Sequence, residues 1–358
     1  MIELKLCKSI LTIASKYNPP KGGIAQVVYC YDKYVFEKFN YLPATCGSQN
    51  IWLKRASIIQ NIIKLFFILL FNFDIKIVHI HSASYNRFYF NTYFMRIAKF
   101  FKKKVIMHIH GGAFAEYYNS NPAWIKSMLL KCDVIVALTS YWKKFFKEKV
   151  GCENVIVVNN IIEEPQYTNI SPSTDCKNIL FLGKVCKEKG IYDLVDVLKE
   201  HKKDFEGKIM LHIGGGGDVE KLKEMIEYHS LQDIVKYEGW VSGDKKISLL
   251  NNCDIYILPS YIEGLPISIL EAMSYGLYII STKVGGIPEI ITNKDEGILI
   301  TPGDKDALYS AIKLSLEDNN ITETKKIRIE RTLKHQPKEI SKELKEISDR
   351  LLTENPGL

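Results

Sequence analysis

No two of the eight cysteines (Cys7, Cys30, Cys46, Cys132, Cys152, Cys176, Cys186 and Cys253) form a CxxC pair. Neither a zinc knuckle nor a dithiol redox motif is therefore signalled, and reduced thiols in a cytoplasm are the expected state. An apolar run of the ~20 residues that a membrane-crossing helix requires is also missing; the nearest approach, residues 58–73, is interrupted by Asn61 and Lys64 and closed by Asn72 and Asp74. At the N-terminus, SILTIA follows two lysines but is too short for a secretory signal and has no small-residue cleavage pattern, so it reads as a first strand. The glycine run Gly214–Gly217 lacks convincing GxGxxG spacing, which makes a dinucleotide loop a weak reading. No nucleic-acid-binding module accompanies the positive charge, so nucleic acid is set aside as a partner.

What is present is a globular chain of 358 residues whose 46% hydrophobic content can supply two cores of ordinary size. Its net charge of +7 is unevenly spread: residues 1–165 hold 22 Lys and Arg against 10 Asp and Glu, and the remainder holds 26 against 31. The basic first half suits an anionic partner, a membrane surface or a phosphorylated substrate. A merely solvated basic face is an alternative of equal weight.

Strand and helix patterns alternate along both halves. Strands are expected at 9–15, 75–81, 105–110, 133–138 and 155–158, then at 178–182, 208–214, 235–241, 254–258, 278–281 and 297–300. Residues 58–73 are expected to form a buried helix. The helix expected over 87–101 ends on Lys102, Lys103 and Lys104, where cations suit the dipole. Another, starting at Ser140, mixes Lys143, Lys144, Lys147 and Lys149 with Trp142, Phe145 and Phe146, which suits a membrane surface or an ordinary amphipathic helix. The polar stretch EEPQYTNISPSTDC is expected to link two domains, and Ile340, Leu344, Ile347 and Leu351 mark a final core-packing helix. The expected fold is α/β, with two Rossmann-like, doubly wound domains at 1–165 and 175–335 facing a cleft. A C-terminal helix within 336–358 packs back on the first domain.

The densest chemistry lies in residues 259–289, PSYIEGLPISILEAMSYGLYIISTKVGGIPE. Proline suits a first helical position, so a helix is expected to begin at Pro266, with Glu263 in the loop before it and Glu271 inside it. Ile267 and Leu270 flank Glu271, so this carboxylate is expected to be buried with a partner, either ligand hydroxyls or an internal ion pair or cap. Elsewhere, Gly22-Gly23 follows a strand and opens a helix, a turn that can bring backbone N–H groups to a phosphate or sugar. His108 and His110 share one face of the strand that ends in HIHGGAF. Asp304 and Asp306 are spaced to hold a divalent cation, but capping the helix that follows is the simpler role.

The PS-x-x-EG turn with its second glutamate and EAM, the later GGIPE, the earlier GKVCKEKG and the N-terminal glycine pair together resemble the retaining glycosyltransferases of the GT-B fold, specifically the large family four. HIHGGAFAEYY is similar to the bacterial surface-polysaccharide members of that family. The resemblance spans the chain and is densest over 178–302. It implies that Glu271 holds the ribose of a nucleotide-sugar and that Glu263 approaches the donor sugar. Lys184 and Lys189 would neutralise the diphosphate, helped by the backbone N–H groups of Gly264 and Leu265. His110 would contact the sugar from the first domain, and Gly22 and Gly23 would let that domain's backbone approach phosphates or acceptor. Two departures stand out: Lys184 occupies a position where the family usually carries arginine, a point charge in place of a fork, and Gly264-Leu265-Pro266 replaces a commoner glycine and aromatic pattern.

The implied activity is metal-independent transfer, with retention, of a hexose or N-acetylhexosamine from a nucleotide-diphosphate sugar, a UDP-sugar above all. The first domain would bind a glycan acceptor, a lipid-linked intermediate of surface polysaccharide, and the second the donor, with no other cofactor. A cytoplasmic protein attached to the inner face of an anionic membrane through its basic half is expected. Two alternatives remain open: a nucleotide-sugar epimerase, which would need no acceptor, and a non-catalytic relative, which would bind no nucleotide.

Overall fold

Unbroken apolar runs such as ILTIA and VIVA are buried along their whole length, as suits strands of a parallel sheet covered by helices on both faces. The computed structural model describes residues 1–46, 50–168 and 176–353. Residues 169–175 of the polar stretch and the last five residues of the expected C-terminal segment lie outside the described residues. The chain divides into two units: unit 1 is Met1–Glu163 with His335–Leu358, and unit 2 is Glu164–Lys334.

Unit 1 holds β1 (Ile10–Ala14), β2 (Tyr41–Pro43), β3 (Ile77–Ser82), β4 (Lys104–Ile109), β5 (Val134–Ala137) and β6 (Val155–Val157). They form one parallel sheet in the order β2-β1-β3-β4-β5-β6. Unit 2 holds β7 (Lys177–Leu182), β8 (Ile209–Gly214), β9 (Val235–Gly239), β10 (Ile255–Leu258), β11 (Tyr278–Thr282) and β12 (Gly297–Ile300). Their order is β12-β11-β10-β7-β8-β9, again all parallel. Strand order reverses between β1 and β3 in the first sheet and between β7 and β10 in the second. Such switch points open crevices at the carboxyl ends of the strands.

Several local expectations are corrected. β2 carries only three residues and its pattern is too short to stand out from a loop. The run 58–73 belongs to a longer helix, Ile51–Phe71, that is not buried: only Ile58, Asn61, Leu65 and Leu69 face the core, whereas Trp52, Ile59, Ile63, Phe67 and Phe71 are exposed, Phe71 at 74%. An apolar helix cannot reveal from composition which of its apolar faces finds a partner. In the segment starting at Ser140, Trp142 and Phe146 are buried in the core of unit 1. The aromatic residues there serve packing, and the lysines are left to solvent or the half-buried rim. Pro266 stands at the N-cap (φ −71°, ψ 120°) and the helix runs Ile267–Ser274, so the proline precedes the first turn. Asp304 caps the helix Lys305–Glu317, accepting from the Ala307 N–H at 2.9 Å.

The polar stretch begins docked on unit 2: Gln166 N–H donates to Tyr275 Oη at 3.0 Å and Tyr167 Oη donates to Ser274 O at 2.9 Å. The final helix, Pro337–Thr353, buries Ile340, Leu344, Ile347 and Leu351 within unit 1. Its entry is pinned by Ile162 N–H donating to His335 O at 3.0 Å.

Unit 2 is closed by a residue that carries no sequence signal. Arg328, in the helix Lys325–Arg331, is fully buried. Its guanidinium donates to Gly276 O at 2.9 Å, to Asp295 O at 2.7 Å, to Thr324 Oγ1 at 2.8 Å and to Ile321 O. Burial lowers its pKa to about 10, which leaves it charged at neutral pH. Removing such a cation orphans the carbonyls around it, each a desolvated acceptor. Arg328→Ala is expected to destabilise unit 2 by about 3 kcal/mol, read as a lower urea midpoint; an unchanged midpoint would show the cluster to be dispensable.

Candidate active site

At the β7/β10 switch point two loops meet. Residues 183–190 follow β7 and residues 259–266 follow β10, and Tyr261 N–H donates to Glu188 O across them at 2.9 Å. Gly190, at φ 69°, lies against Pro259 so closely that a β-carbon would sit 2.0 Å from the proline carbonyl oxygen. Only glycine satisfies both the dihedral and the space. From β11, Ser281 Oγ donates to Leu258 O at 2.7 Å and Thr282 Oγ1 donates to Ser260 O at 2.5 Å. Beyond β11, Gly286 N–H donates to Gly264 O at 2.7 Å. The turn that carries Glu263, Gly264 and Leu265 is thus held from both sides.

Glu263 is 9% exposed. One of its oxygens accepts from Ser260 Oγ at 2.8 Å and pairs with the Lys189 ammonium. The spacing Ser260-x-x-Glu263 contained this bond, although sequence reading assigned no role to Ser260. Glu271, inside the helix Ile267–Ser274, is also buried, and its partner in the structure is Lys246 Nζ at 2.7 Å. Of the two partners expected for this carboxylate, the internal ion pair is therefore present. Lys246 lies in the helix Gly243–Asn252, and nothing in GDKKISLLNN distinguished it from Lys245, which pairs with Glu238 at 2.9 Å.

Lys184 is exposed on the same loop as Lys189 and makes no ion pair among the described residues. The glycine run after β8 is accounted for by backbone packing: at Gly215 a β-carbon would meet Gly183 O at 1.8 Å, and Val185 N–H donates to Gly216 O at 2.7 Å. Unit 2 thus brings Lys189, Glu263, Gly264 and Leu265 together at the switch point, with Glu271 on the helix that leaves it. Lys184 lies against the glycine run after β8, where a β-carbon at Gly217 would be 3.1 Å from its Cγ.

His110, Gly22 and Gly23 belong to unit 1. Gly22 is the N-cap of the helix Gly23–Cys30, with no side chain capping the first turn. His110 stands at the end of a stack that sequence reading saw only in part. β3 contributes His79 and His81, and β4 contributes His108, which is in register with His81. His81 Nδ1 and His110 Nε2 are 2.9 Å apart, and the His108 and His110 rings stack at 4.1 Å. Burial pushes His79 and His110 down to about 3 and His81 and His108 well below their ordinary value. The stack is neutral at physiological pH, which limits His110 to neutral hydrogen bonding.

Ring nitrogens of His79, His81 and His108 lie within 4.8 Å of one another. His79 Nε2, His81 Nε2 and both nitrogens of His108 have no hydrogen-bond partner among the described residues. They are the residues that could hold a metal ion, but the His79 and His108 rings are parallel to within 4°. In-plane lone pairs of parallel rings do not converge on one point, as ligation at ~2.0–2.1 Å demands. The geometry is that of a packed stack.

Two all-parallel sheets, each doubly wound with helices, define the GT-B class of glycosyltransferase folds, and solved structures agree. Anabaena HepE in complex with UDP and glucose is similar over 95% of this chain and 99% of its own, with a TM-score of 0.73 at 15% identity, a likeness that shows the fold alone. Residues 165–335, almost the whole of unit 2, match the family Glycosyl transferases group 1. An uncharacterized glycosyltransferase of Methanocaldococcus jannaschii, MJ1069, is 27% identical, with 85% of this chain and 88% of the relative covered. The putative colanic acid biosynthesis glycosyltransferase WcaL of Escherichia coli K12 is 26% identical over 49% of this chain, and the chain spans only 46% of that relative's length.

The histidine stack makes unit 1 acid-sensitive. Unfolded histidines bind protons near pH 6.5, whereas His79 and His110 resist protonation until about pH 3. Stability is therefore complete above pH 6.5 and is lost progressively as the pH falls toward 3. The urea midpoint should drop over this window, and His108→Leu should make that drop shallower. An equally steep drop in the variant would show that other groups set the acid limb.

Proposed function

We propose that the chain is a retaining glycosyltransferase that moves a hexose or N-acetylhexosamine from a nucleotide-diphosphate sugar, a UDP-sugar, to a glycan acceptor. The observation that carries the reading is the part-buried Lys189–Glu263 pair at the β7/β10 switch point, on a loop that also carries the exposed Lys184. Cleaving a sugar–diphosphate bond develops negative charge on the leaving phosphate, and preorganised positive groups in a partly dry site are the largest help a protein gives such a step. Lys184 and Lys189 act there, with the N-terminus of the helix Ile267–Ser274 behind them, so the leaving group is stabilised without a metal. Glu263, held by Ser260 and Lys189, faces the developing positive charge on the sugar. The acceptor hydroxyl attacks on the leaving-group face, which retains configuration.

In this reading Glu271 holds the ribose hydroxyls with its second oxygen while Lys246 keeps the first. Within unit 1, His110 is assigned a neutral hydrogen bond to a sugar, and the Gly22-Gly23 turn is assigned backbone N–H contacts to a phosphate or acceptor. HepE's complex with UDP and glucose supports the donor class, and WcaL's description supports a surface-polysaccharide product.

Replacing Glu271 and Glu263 separately divides the roles. Glu271→Gln is expected to weaken UDP binding about tenfold, a loss of ~1.4 kcal/mol, with little change in the rate at saturating donor. Glu263→Gln should mainly slow transfer. Calorimetry with UDP, GDP and ADP, followed by turnover with the matching sugar donor, reads both. If Glu271→Gln binds UDP unchanged while Lys246→Met and Glu271→Gln lower the melting temperature equally, Glu271 is structural only. Isomerisation of donor without acceptor would favour an epimerase.

The acceptor in this reading is lipid-linked, and the protein sits peripherally on an anionic membrane at the cytoplasmic face. No described helix is long and apolar enough to cross a membrane. The outward face of the helix Ile51–Phe71 carries Trp52, Ile59, Ile63 and Phe67 between Arg55 and Lys64, a pattern that suits shallow insertion among anionic headgroups. Raising the salt should weaken binding to anionic vesicles, because exposed charges are screened within about 8 to 10 Å. Trp52→Ser with Phe67→Ser should remove the part that salt leaves. Vesicle flotation insensitive to both changes would refute membrane attachment by this face.

A further inference from the structure

Unit 1 has its own crevice at its own switch point. Residues following β1, residues following β2 and the end of β3 enclose a cavity of about 500 Å³. Five cations line it, Lys16, Lys21, Lys54, Arg55 and Arg87, and no carboxylate does. None of the five makes an ion pair among the described residues; Arg55 lies over the Trp52 ring at 5.7 Å. Burial lowers the Arg87 pKa from its ordinary value, although its side chain is reached by solvent; a guanidinium on the wall of a recess satisfies both statements.

Two further features border the cavity. The helix Asn86–Phe100 presents Asn86, Arg87, Phe90 and Asn91 to the cavity, and no side chain caps its N-terminus. Its first-turn N–H groups and dipole favour an anion. His81, 1% exposed, also lines the cavity, and its Nε2 has no hydrogen-bond partner among the described residues. Five cations without ion pairs and an uncapped helix N-terminus around one recess lack the same thing, an anion with several acceptor oxygens.

We propose that this cavity is the seat of a phosphate or diphosphate group on the acceptor. The word acceptor rests on the glycosyltransferase reading; the anion site does not. Arginine and lysine bind phosphate oxygens by charge-assisted hydrogen bonds, and Arg87 at the helix N-terminus is placed to use its fork. Ile51, Ile58 and Phe90 add apolar wall, which accommodates the organic part next to the phosphate. The first turns of the helix whose outward face is apolar line the cavity, and a phosphate borne by a lipid and one borne by a soluble sugar would present the same chemistry to it.

The test uses the full chain, with the unit 2 lysines removed as competitors (Lys184→Ala with Lys189→Ala). Inorganic pyrophosphate is titrated by calorimetry against that protein with and without Arg87→Gln and Lys54→Gln. The expected result is one site, weakened by salt and weakened at least about tenfold by the added pair, with the melting temperature held. Unchanged pyrophosphate affinity overturns the proposal. In the chain with Lys184 and Lys189 intact, UDP affinity should ignore Arg87→Gln and Lys54→Gln. A parallel loss of UDP affinity would make the cavity a seat for donor phosphates and overturn the proposal equally. Failure of UDP to bind any form would sink the transferase reading and leave the pyrophosphate result standing. The source is read last: retention on phosphatidylcholine vesicles carrying polyprenyl diphosphate but not polyprenol, lost with Arg87→Gln and Lys54→Gln, assigns a lipid-borne phosphate. Binding of glucose 1-phosphate with the same dependence, and no vesicle retention, assigns a soluble one.

Discussion

The reversal of strand order between β7 and β10 is the constraint on which the candidate site depends. Chain connections leave these neighbouring strands in opposite directions, so their carboxyl ends have no covering crossover and a crevice opens there. Its walls are backbone held at van der Waals limits: Gly190 against Pro259, and Gly215 against Gly183. Because those contacts admit no side chain, the loops have little freedom, and the Lys189–Glu263 pair and the Ser260 hydroxyl are presented in one arrangement. Preorganisation of this kind fixes the charged groups before a ligand arrives.

Unit 1 repeats the arrangement with different chemistry. Its reversal lies between β1 and β3, and there the strand ends carry cations and a neutral histidine stack where unit 2 carries compensated ion pairs. The contrast is electrostatic: buried carboxylates anchor the lysines in unit 2, whereas the cavity of unit 1 has no acid at all. That difference is the local form of the charge asymmetry between the two halves of the chain. A positive recess without compensation is unfavourable until an anion enters it, so ligand and recess stabilise each other.

How much could be read in advance varied with the physics of each feature. Strands such as 105–110 and 254–258 were legible because a parallel strand buried on both faces leaves a short unbroken apolar run. The Tyr41–Pro43 strand was not, since three residues carry no period. The apolar run 58–73 reads as a buried helix, whereas the helix starts at Ile51 and is largely exposed: both of its faces are apolar, and which one meets the core is a long-range fact. Glu263 and Lys189 were singled out by motif, and their contact depended on two loops far apart in sequence. Lys246, Ser260 and Arg87 had ordinary neighbours and no distinguishing pattern, so only proximity gave them meaning.

The amino-acid sequence by itself determined the alternation of strands and helices, the glycines that permit close backbone approach, and the uneven distribution of charge, because each depends on local propensity or simple count. Tertiary structure alone decided which carboxylate meets which lysine, which apolar face of a helix stays in solvent, and that five cations scattered from Lys16 to Arg87 surround one cavity. Those outcomes are set by pairing between distant segments, and no local pattern encodes them. The stretch around Glu263 and Glu271 shows the division within a few residues: its spacing was written in the chain, and its partners were chosen by the fold.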